Sequence, residues 1–244
     1  CSNSLAISMK FSIVIPCYNE CESLPSLIDY ILPLQNEYEL EYILVENGST
    51  DDSKEYLLKN IDGKYKNIKI AYIEKNKGYG FGIQQGLKLC SGDYLGWIHA
   101  DMQVLPNDLR KIFNLVLLSG SNENIFVKGR RLKRTFIDHI FTIGQSIFSS
   151  LIFLNIMHDI GATPVIFSKS LISNFDEMPN DFSIEVFTYL IAKRKKFQVK
   201  KSKIVFHDRE KGNSSWNKGL ISRIKLSLII IKSSILIRLG ALKK

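Results

Sequence analysis

The stretch FSIVIPCYNE, residues 11–20, sets the pattern for the chain. Phe11–Ile15 is a short continuous apolar run, as a strand buried in a parallel sheet shows. It stops at Pro16 and a polar segment, Cys17-Tyr18-Asn19-Glu20. A helix is expected from Glu22 to Leu34, with Leu24, Leu27, Ile28 and Ile31 on one face. The same succession then repeats. Tyr42–Val45 is a second strand, ending at Glu46-Asn47-Gly48-Ser49. Thr50 or Asp51 caps a helix running to Asn60, with Tyr56 and Leu57 inward. Ile68–Ile73 is a third strand, and the glycine-rich stretch Gly78–Gly86 opens the next helix. Tyr94–Ile98 is a fourth strand, ending at His99-Ala100-Asp101. Alternation over residues 11–118 predicts an α/β fold with a mostly parallel sheet flanked by helices. Such sheets bind ligands beyond the carboxyl ends of their strands. The polar clusters fall there: Cys17–Glu20, Glu46 with Asn47, and Asp101 with Gln103.

Further along, Phe126–Lys128 reads as a strand leading into the basic run Lys128, Arg130, Arg131, Lys133 and Arg134. That run has two readings, a solvated loop or a contact with lipid phosphate and headgroups. Ile140–Ile156 reads as an apolar helix, Pro164–Phe167 as a strand, and Phe182–Ala192 as a helix with Glu185 in its first turn. Gln198–Phe206 reads as a last strand before the loop His207–Trp216. From Leu220 to Leu239, apolar residues at 220, 224, 228, 231 and 235 keep helical spacing, with Lys218, Lys225 and Lys232 as a basic stripe. This segment fits a membrane-surface or partner helix, or an ordinary packed one. The expected organisation is an N-terminal extension (residues 1–10), one catalytic domain (11–217) and a basic amphipathic C-terminal helix (218–244).

Composition bounds the function classes. A chain of 244 residues with 45% apolar and 23% charged residues is expected to bury one core and not to be disordered. No uncharged apolar run reaches about 18 residues, so no transmembrane helix is expected. The cysteines, Cys1, Cys17, Cys21 and Cys90, form no CxxC pair. A zinc site or disulfide framework is not expected, and a reducing, cytoplasmic setting fits. The net charge of +9 is uneven. Residues 1–185 hold 17 Lys/Arg and 22 Asp/Glu, whereas residues 186–244 hold 16 Lys/Arg against Asp208 and Glu210 alone. A basic tail of this kind meets an anionic membrane, a phosphate-bearing substrate or nucleic acid, or is a solvated face.

Asp101, just past an apolar strand, is placed to hold a divalent cation against a diphosphate. Taken alone, an aspartate there is as readily a turn or capping residue. The ordered motifs say more. VIPCYNE (residues 14–20), VENGSTDDS (45–53), NKGYGFGIQQGL (76–87), GDYLGWIHADMQ (92–103) and HDREKGNSS (207–215) run in sequence over residues 11–216. Together they resemble family 2 glycosyltransferases of the GT-A fold, close to the dolichol-phosphate-mannose-synthase-like branch.

The resemblance implies an inverting transfer of a sugar from a nucleotide-diphosphate sugar, with Mn2+ or Mg2+. Pro16, Tyr18 and Glu20 would line the base and ribose. Glu46 and Asn47 sit where the family reads the base, with Gly48 making the turn, and Lys77 and Gly78 near the ribose or diphosphate. His99, Ala100 and Asp101 would line the donor. Asp101 would be the main metal ligand, with Gln103 and His99 in support. Arg209 would contact phosphate, with Gly212, Ser214 and Trp216 on the acceptor side. Asp181 and Glu185 fall where an acceptor-side base is found, and Asp159 is placed to face sugar hydroxyls. Two departures stand out. His99 occupies the first place of the family's common Asp-x-Asp, so weaker metal binding is expected, and Asn47 replaces a frequent aspartate. The implied acceptor is a polyprenyl phosphate, or next a surface glycan. Any contact with an anionic membrane would be peripheral, at its inner face.

Other classes fare worse. Gly78-Tyr79-Gly80 begins a dinucleotide fingerprint, but Ile83 takes its sixth position and the stretch follows the third strand. A nucleotidyltransferase would show a glycine-rich loop after the first strand, where CYNE stands. Nucleic-acid binding is permitted by the basic tail with Phe197, Phe206 and Trp216, but no recognition motif supports it. A catalytically impaired or purely sugar-nucleotide-binding homologue is the alternative that His99 raises.

Overall fold

The computed structural model describes residues 9–120, 122–132, 136–207, 209 and 219–240. Its centre is a seven-stranded sheet in the order β3-β2-β1-β4-β6-β5-β7. The first strands are β1 (Phe11–Cys17), β2 (Leu40–Asn47), β3 (Ile68–Ile73) and β4 (Tyr94–Trp97). Beyond them lie β5 (Ile125–Leu132), β6 (Val165–Ser168) and β7 (Gln198–Val205). β1 pairs in parallel with β2 and β4, β2 with β3, and β5 with β7. Only β6 runs antiparallel, to β4 and β5.

All eight residues of β2 are buried, because helices cover both faces of the sheet. Phe11, Ile13 and Ile15 of β1 face one core with α1 (Leu24–Ile31) and α4 (Pro106–Leu117), while Val14 faces the other. That second core holds α3 (Tyr79–Lys88) and α6 (Ile184–Arg194), with Phe153 of α5 (Phe136–Phe153) and Ile230 and Ile237 of α7 (Leu220–Arg238). The remaining helix, α2 (Ser53–Asn60), packs Leu57 against the first core. Among the described residues no helix is long and apolar enough to cross a membrane.

Several elements depart from expectation; α5, for one, spans Phe136–Phe153 where Ile140–Ile156 was expected. β1 continues through Pro16, which lacks a ladder donor. The pairing with β4 covers only Phe11–Val14, so Pro16 stands where β1 is an edge on that side. α1 ends at Ile31, and the chain tightens into a 3-10 turn over Leu32–Asn36. β5 carries Lys128, Arg130 and Arg131 within the strand, not in a solvated loop. Lys128 is buried, donates to the Asp159 carbonyl at 2.7 Å and lies 4.5 Å from the centre of the Tyr189 ring. Lys133 and Arg134 lie outside the described residues.

Candidate active site

The loops after β1 and β2 are tied into one unit. Asn19, with φ 56°, donates its backbone N–H to Ser49 Oγ at 3.1 Å and accepts from the Thr50 N–H at 2.8 Å. The Glu20 N–H donates to Ser53 Oγ at 3.0 Å. Buried Glu46 accepts the Ser49 N–H at 2.6 Å, so this carboxylate holds its own turn. Asn47 is also buried, and its Nδ2 donates to the Gly78 carbonyl at 3.2 Å. An aspartate could not donate there, which gives the amide at position 47 a structural reason.

The glycine-rich stretch is a latch between α3 and the segment before α6. Gly78 has φ 114°, and a methyl group at Gly78 or Gly80 would strike backbone carbonyls of Asn180 and Pro179. Phe81 N–H donates to the Asn180 carbonyl at 3.0 Å, and Gln84 Nε2 to Met178 O and Asn180 Oδ1, each at 2.9 Å. Lys77 is exposed beside the Phe81 ring.

Past β4, Asp101 Oδ1 accepts the Gln103 N–H at 3.2 Å around Met102, which has φ 55°. Gln103 and His207 form a clasp: Gln103 Nε2 donates to His207 O at 3.0 Å, and the His207 N–H to Gln103 O at 2.9 Å. The clasp carries the exit of β7 onto the Asp101 loop. Arg209 thereby places Nη2 2.6 Å from Glu20 Oε1 and 3.8 Å from Asp101 Oδ2. Burial pushes the Glu20 carboxyl above its ordinary range, opposed by the Arg209 guanidinium. Its Oε2 is buried with no hydrogen-bond partner among the described residues. Burial lowers the His99 pKa, with Asp101 opposing, which favours the neutral imidazole. Its ring stacks on Tyr79 at 5.4 Å.

The two acids before and within α6 are differently placed. Glu185 is buried, and its Oε1 accepts from Trp97 Nε1 at 2.7 Å and from the Tyr79 hydroxyl at 3.2 Å. It therefore supports the ring on which His99 lies. Asp181 Oδ1 accepts the Ser183 N–H at 2.8 Å and the Ser183 hydroxyl, and Oδ2 accepts from Ser233 of α7 at 3.0 Å. Asp159 Oδ2 lies 3.7 Å from Arg130 Nε. Tyr79 and Trp97 are the partners that sequence reasoning missed. Gly212, Ser214 and Trp216 lie outside the described residues.

Glu185 yields a stability prediction. Burial raises its pKa above the ordinary 4.5, opposed by the Trp97 hydrogen bond and Lys128. A raised carboxyl contributes stability that is full below 4.5 and is lost as pH climbs through the folded value. Glu185→Gln should retain an acceptor and flatten that loss. Glu185→Ala should cost about 2–4 kcal/mol, because two buried donors lose their partner. Urea midpoints across a pH series check both; identical pH profiles for Glu185→Gln and wild type would contradict it.

Residues 12–158 match the family described as Glycosyl transferase family 2. Among curated proteins, undecaprenyl-phosphate 4-deoxy-4-formamido-L-arabinose transferase of Photorhabdus laumondii is 36% identical over 107 residues, 42% of this chain and 32% of that protein. The protein of the same name from Yersinia pestis is 36% identical over 110 residues, 43% of this chain and 33% of that one. The match thus spans about a third of the length of these relatives. Among solved structures, glucosyl-3-phosphoglycerate synthase from Mycobacterium tuberculosis, in complex with Mn2+, uridine diphosphate and glucosyl-3-phosphoglycerate, has a TM-score of 0.70 at 19% identity. That likeness covers 95% of this chain and 80% of the other. It shows the fold, the GT-A architecture that the ordered motifs imply.

Proposed function

The chain belongs to glycosyl transferase family 2, and on that premise we propose that it moves a sugar from a nucleotide-diphosphate sugar onto a lipid-phosphate acceptor with a divalent cation. The observation that carries this reading is the meeting of Glu20, Asp101 and Arg209 where β1, β4 and β7 end. Among the described residues no group of three or more His, Cys, Asp or Glu side chains forms a metal centre. One carboxylate with a buried, unpartnered Glu20 oxygen nearby fits a cation that comes already bridged by the donor's phosphates. Bound there, Mn2+ or Mg2+ would offset charge on the departing diphosphate.

The chain's own residues would do the rest. Asp101 holds the cation side of the donor, with neutral His99 and a Gln103 oxygen in support and Ala100 lining the path. Pro16, Tyr18, Glu20, Glu46, Asn47 and Gly48 take the base and ribose, with Lys77 and Gly78 towards the diphosphate. Arg209 leaves Glu20 to grip phosphate, since a guanidinium offers paired donors. Glu185 acts by accepting from Trp97 and from Tyr79, the ring on which His99 stacks. A lipid phosphate is already anionic and needs no base, so Asp181 can remain a structural acid. The relatives named as undecaprenyl-phosphate transferases support that acceptor class. The site would work at the inner face of the membrane, with 11–217 as catalytic domain and 218–244 as basic helix.

A thermal-shift screen of nucleotide sugars with Mn2+ or Mg2+ tests the donor reading. A matching pair at a hundred times its Kd should add about 2.7 kcal/mol, a rise of roughly 5–10 °C. No shift with any nucleotide sugar and either cation would remove the proposal.

A further inference from the structure

α5 and α7 pack against each other, and each also leaves an apolar stripe in solvent. On α5 the stripe is Ile140, Ile143, Ile147 and Leu151, continued by Leu154; Leu151 is 70% exposed and Leu154 76%. On α7 it is Ile221, Ile224, Leu228 and Ile235, with Ile221 72% and Leu228 58% exposed. Spacings of three, four and seven put each set on one side of its helix. The inward sides are already filled by Phe153 and Ser149 on α5, and by Ile230, Ser234 and Ile237 on α7. The exposed stripes are therefore not explained by the fold, and apolar surface of this extent marks a contact.

The charge around them selects the occupant. α7 has no acidic residue and exposes Lys225, Lys232 and Arg238. β7 has none either and exposes Lys201 and Lys203. A cleft of about 870 Å³ sets Ile143, Ile147 and Leu151 against Arg130, Arg131 and Lys201. A second copy docking with twofold symmetry would bring these cations against themselves. A bilayer containing anionic lipid offers acyl chains to the stripes and headgroups to the cations.

We propose that the α5–α7 face lies on an anionic bilayer, with the cleft opening at that surface. This deepens the lipid-acceptor reading and rests on it for its purpose, though not for its geometry. An amphiphilic phosphate would reach the cleft without leaving the membrane. Deleting α7 would strip Ile230 and Ile237 from the core, so surface changes give the cleaner test.

The test is flotation of the full chain with phosphatidylcholine vesicles, with and without phosphatidylglycerol. Binding should need phosphatidylglycerol and weaken with salt. Leu151→Glu and Leu228→Glu should each weaken it at least about tenfold. Leu118→Glu, at an 81% exposed position ending α4, should bind as wild type. Should Leu151→Glu or Leu228→Glu melt early, Leu154→Glu and Ile221→Glu take their place. Wild-type binding by both stripe variants, no vesicle binding by wild type, or a dimer in sedimentation that Leu151→Glu dissolves would each overturn the proposal. Nucleotide-sugar binding in solution, measured on the same proteins, reports separately on the donor reading.

Discussion

Asp101→Asn is expected to lower sugar transfer by about a thousandfold or more while leaving the melting temperature close to wild type. Asparagine is the informative change because it separates the hydrogen bond that Asp101 makes from the cation-holding role proposed for it. Asp101 Oδ1 accepts the Gln103 N–H and so holds the loop that clasps His207. That bond contributes about 1 kcal/mol, and asparagine retains it. What asparagine removes is the negative charge that would anchor a cation, and with it the positive charge that would stabilise a departing diphosphate. Asp101→Ala would lose both and mix loop collapse with lost chemistry. The second readout is Mn2+ binding in the presence of a nucleoside diphosphate, which should fall with the turnover. Transfer within tenfold of wild type in a folded Asp101→Asn protein would exclude the carboxylate as the cation's anchor.

The same residues mark where the sequence was legible. β3 has the expected bounds, Ile68–Ile73, although it is the edge strand of the sheet and only Ile68 and Ile73 are buried, with Lys69 and Tyr72 exposed. β5 was read too short, since Lys128, Arg130 and Arg131 interrupt the apolar pattern. The strand continues because it pairs with β7 from Ile125 to Leu132, and because Lys128 finds a carbonyl and an aromatic face. At the site, local pattern located β1, β2 and β4 but not their ends: β1 and β2 run on to Cys17 and Asn47, past the expected Ile15 and Val45, and β4 stops at Trp97, short of Ile98. The pairing of Arg209 with Glu20 was not. The two are 189 residues apart, and among the described residues the clasp between Gln103 and His207 is what ties the exit of β7 to the Asp101 loop. Glu185 likewise looked like a first-turn charge. Its burial against Trp97 and Tyr79, 88 and 106 residues away, is a tertiary fact that helical position does not carry.

Arg209→Gln should have two opposite effects: turnover falls by about a hundredfold to a thousandfold, while Mn2+ alone binds about threefold to tenfold more tightly. In the arrangement described, the guanidinium stands between Glu20 and Asp101 and neutralises both. A cation approaching Asp101 therefore meets a positive charge 3.8 Å from the oxygen it seeks. Removing that charge favours the bare metal. It also removes the group placed to hold phosphate once a donor pushes Arg209 away from Glu20. Lysine should restore little of the turnover, because it cannot make the paired contacts of a guanidinium. A pH signature accompanies the change. Glu20 is already raised by burial and is held down by Arg209, so its pKa should climb further in the glutamine variant. The gain in Mn2+ binding should then be largest at high pH and vanish as pH falls through that raised value. Titration of Mn2+ by electron paramagnetic resonance, beside kcat for transfer, reads both effects. If metal affinity stays fixed while turnover drops, Arg209 touches phosphate without competing for the cation's place. If neither moves, the junction of β1, β4 and β7 is not where the reaction occurs.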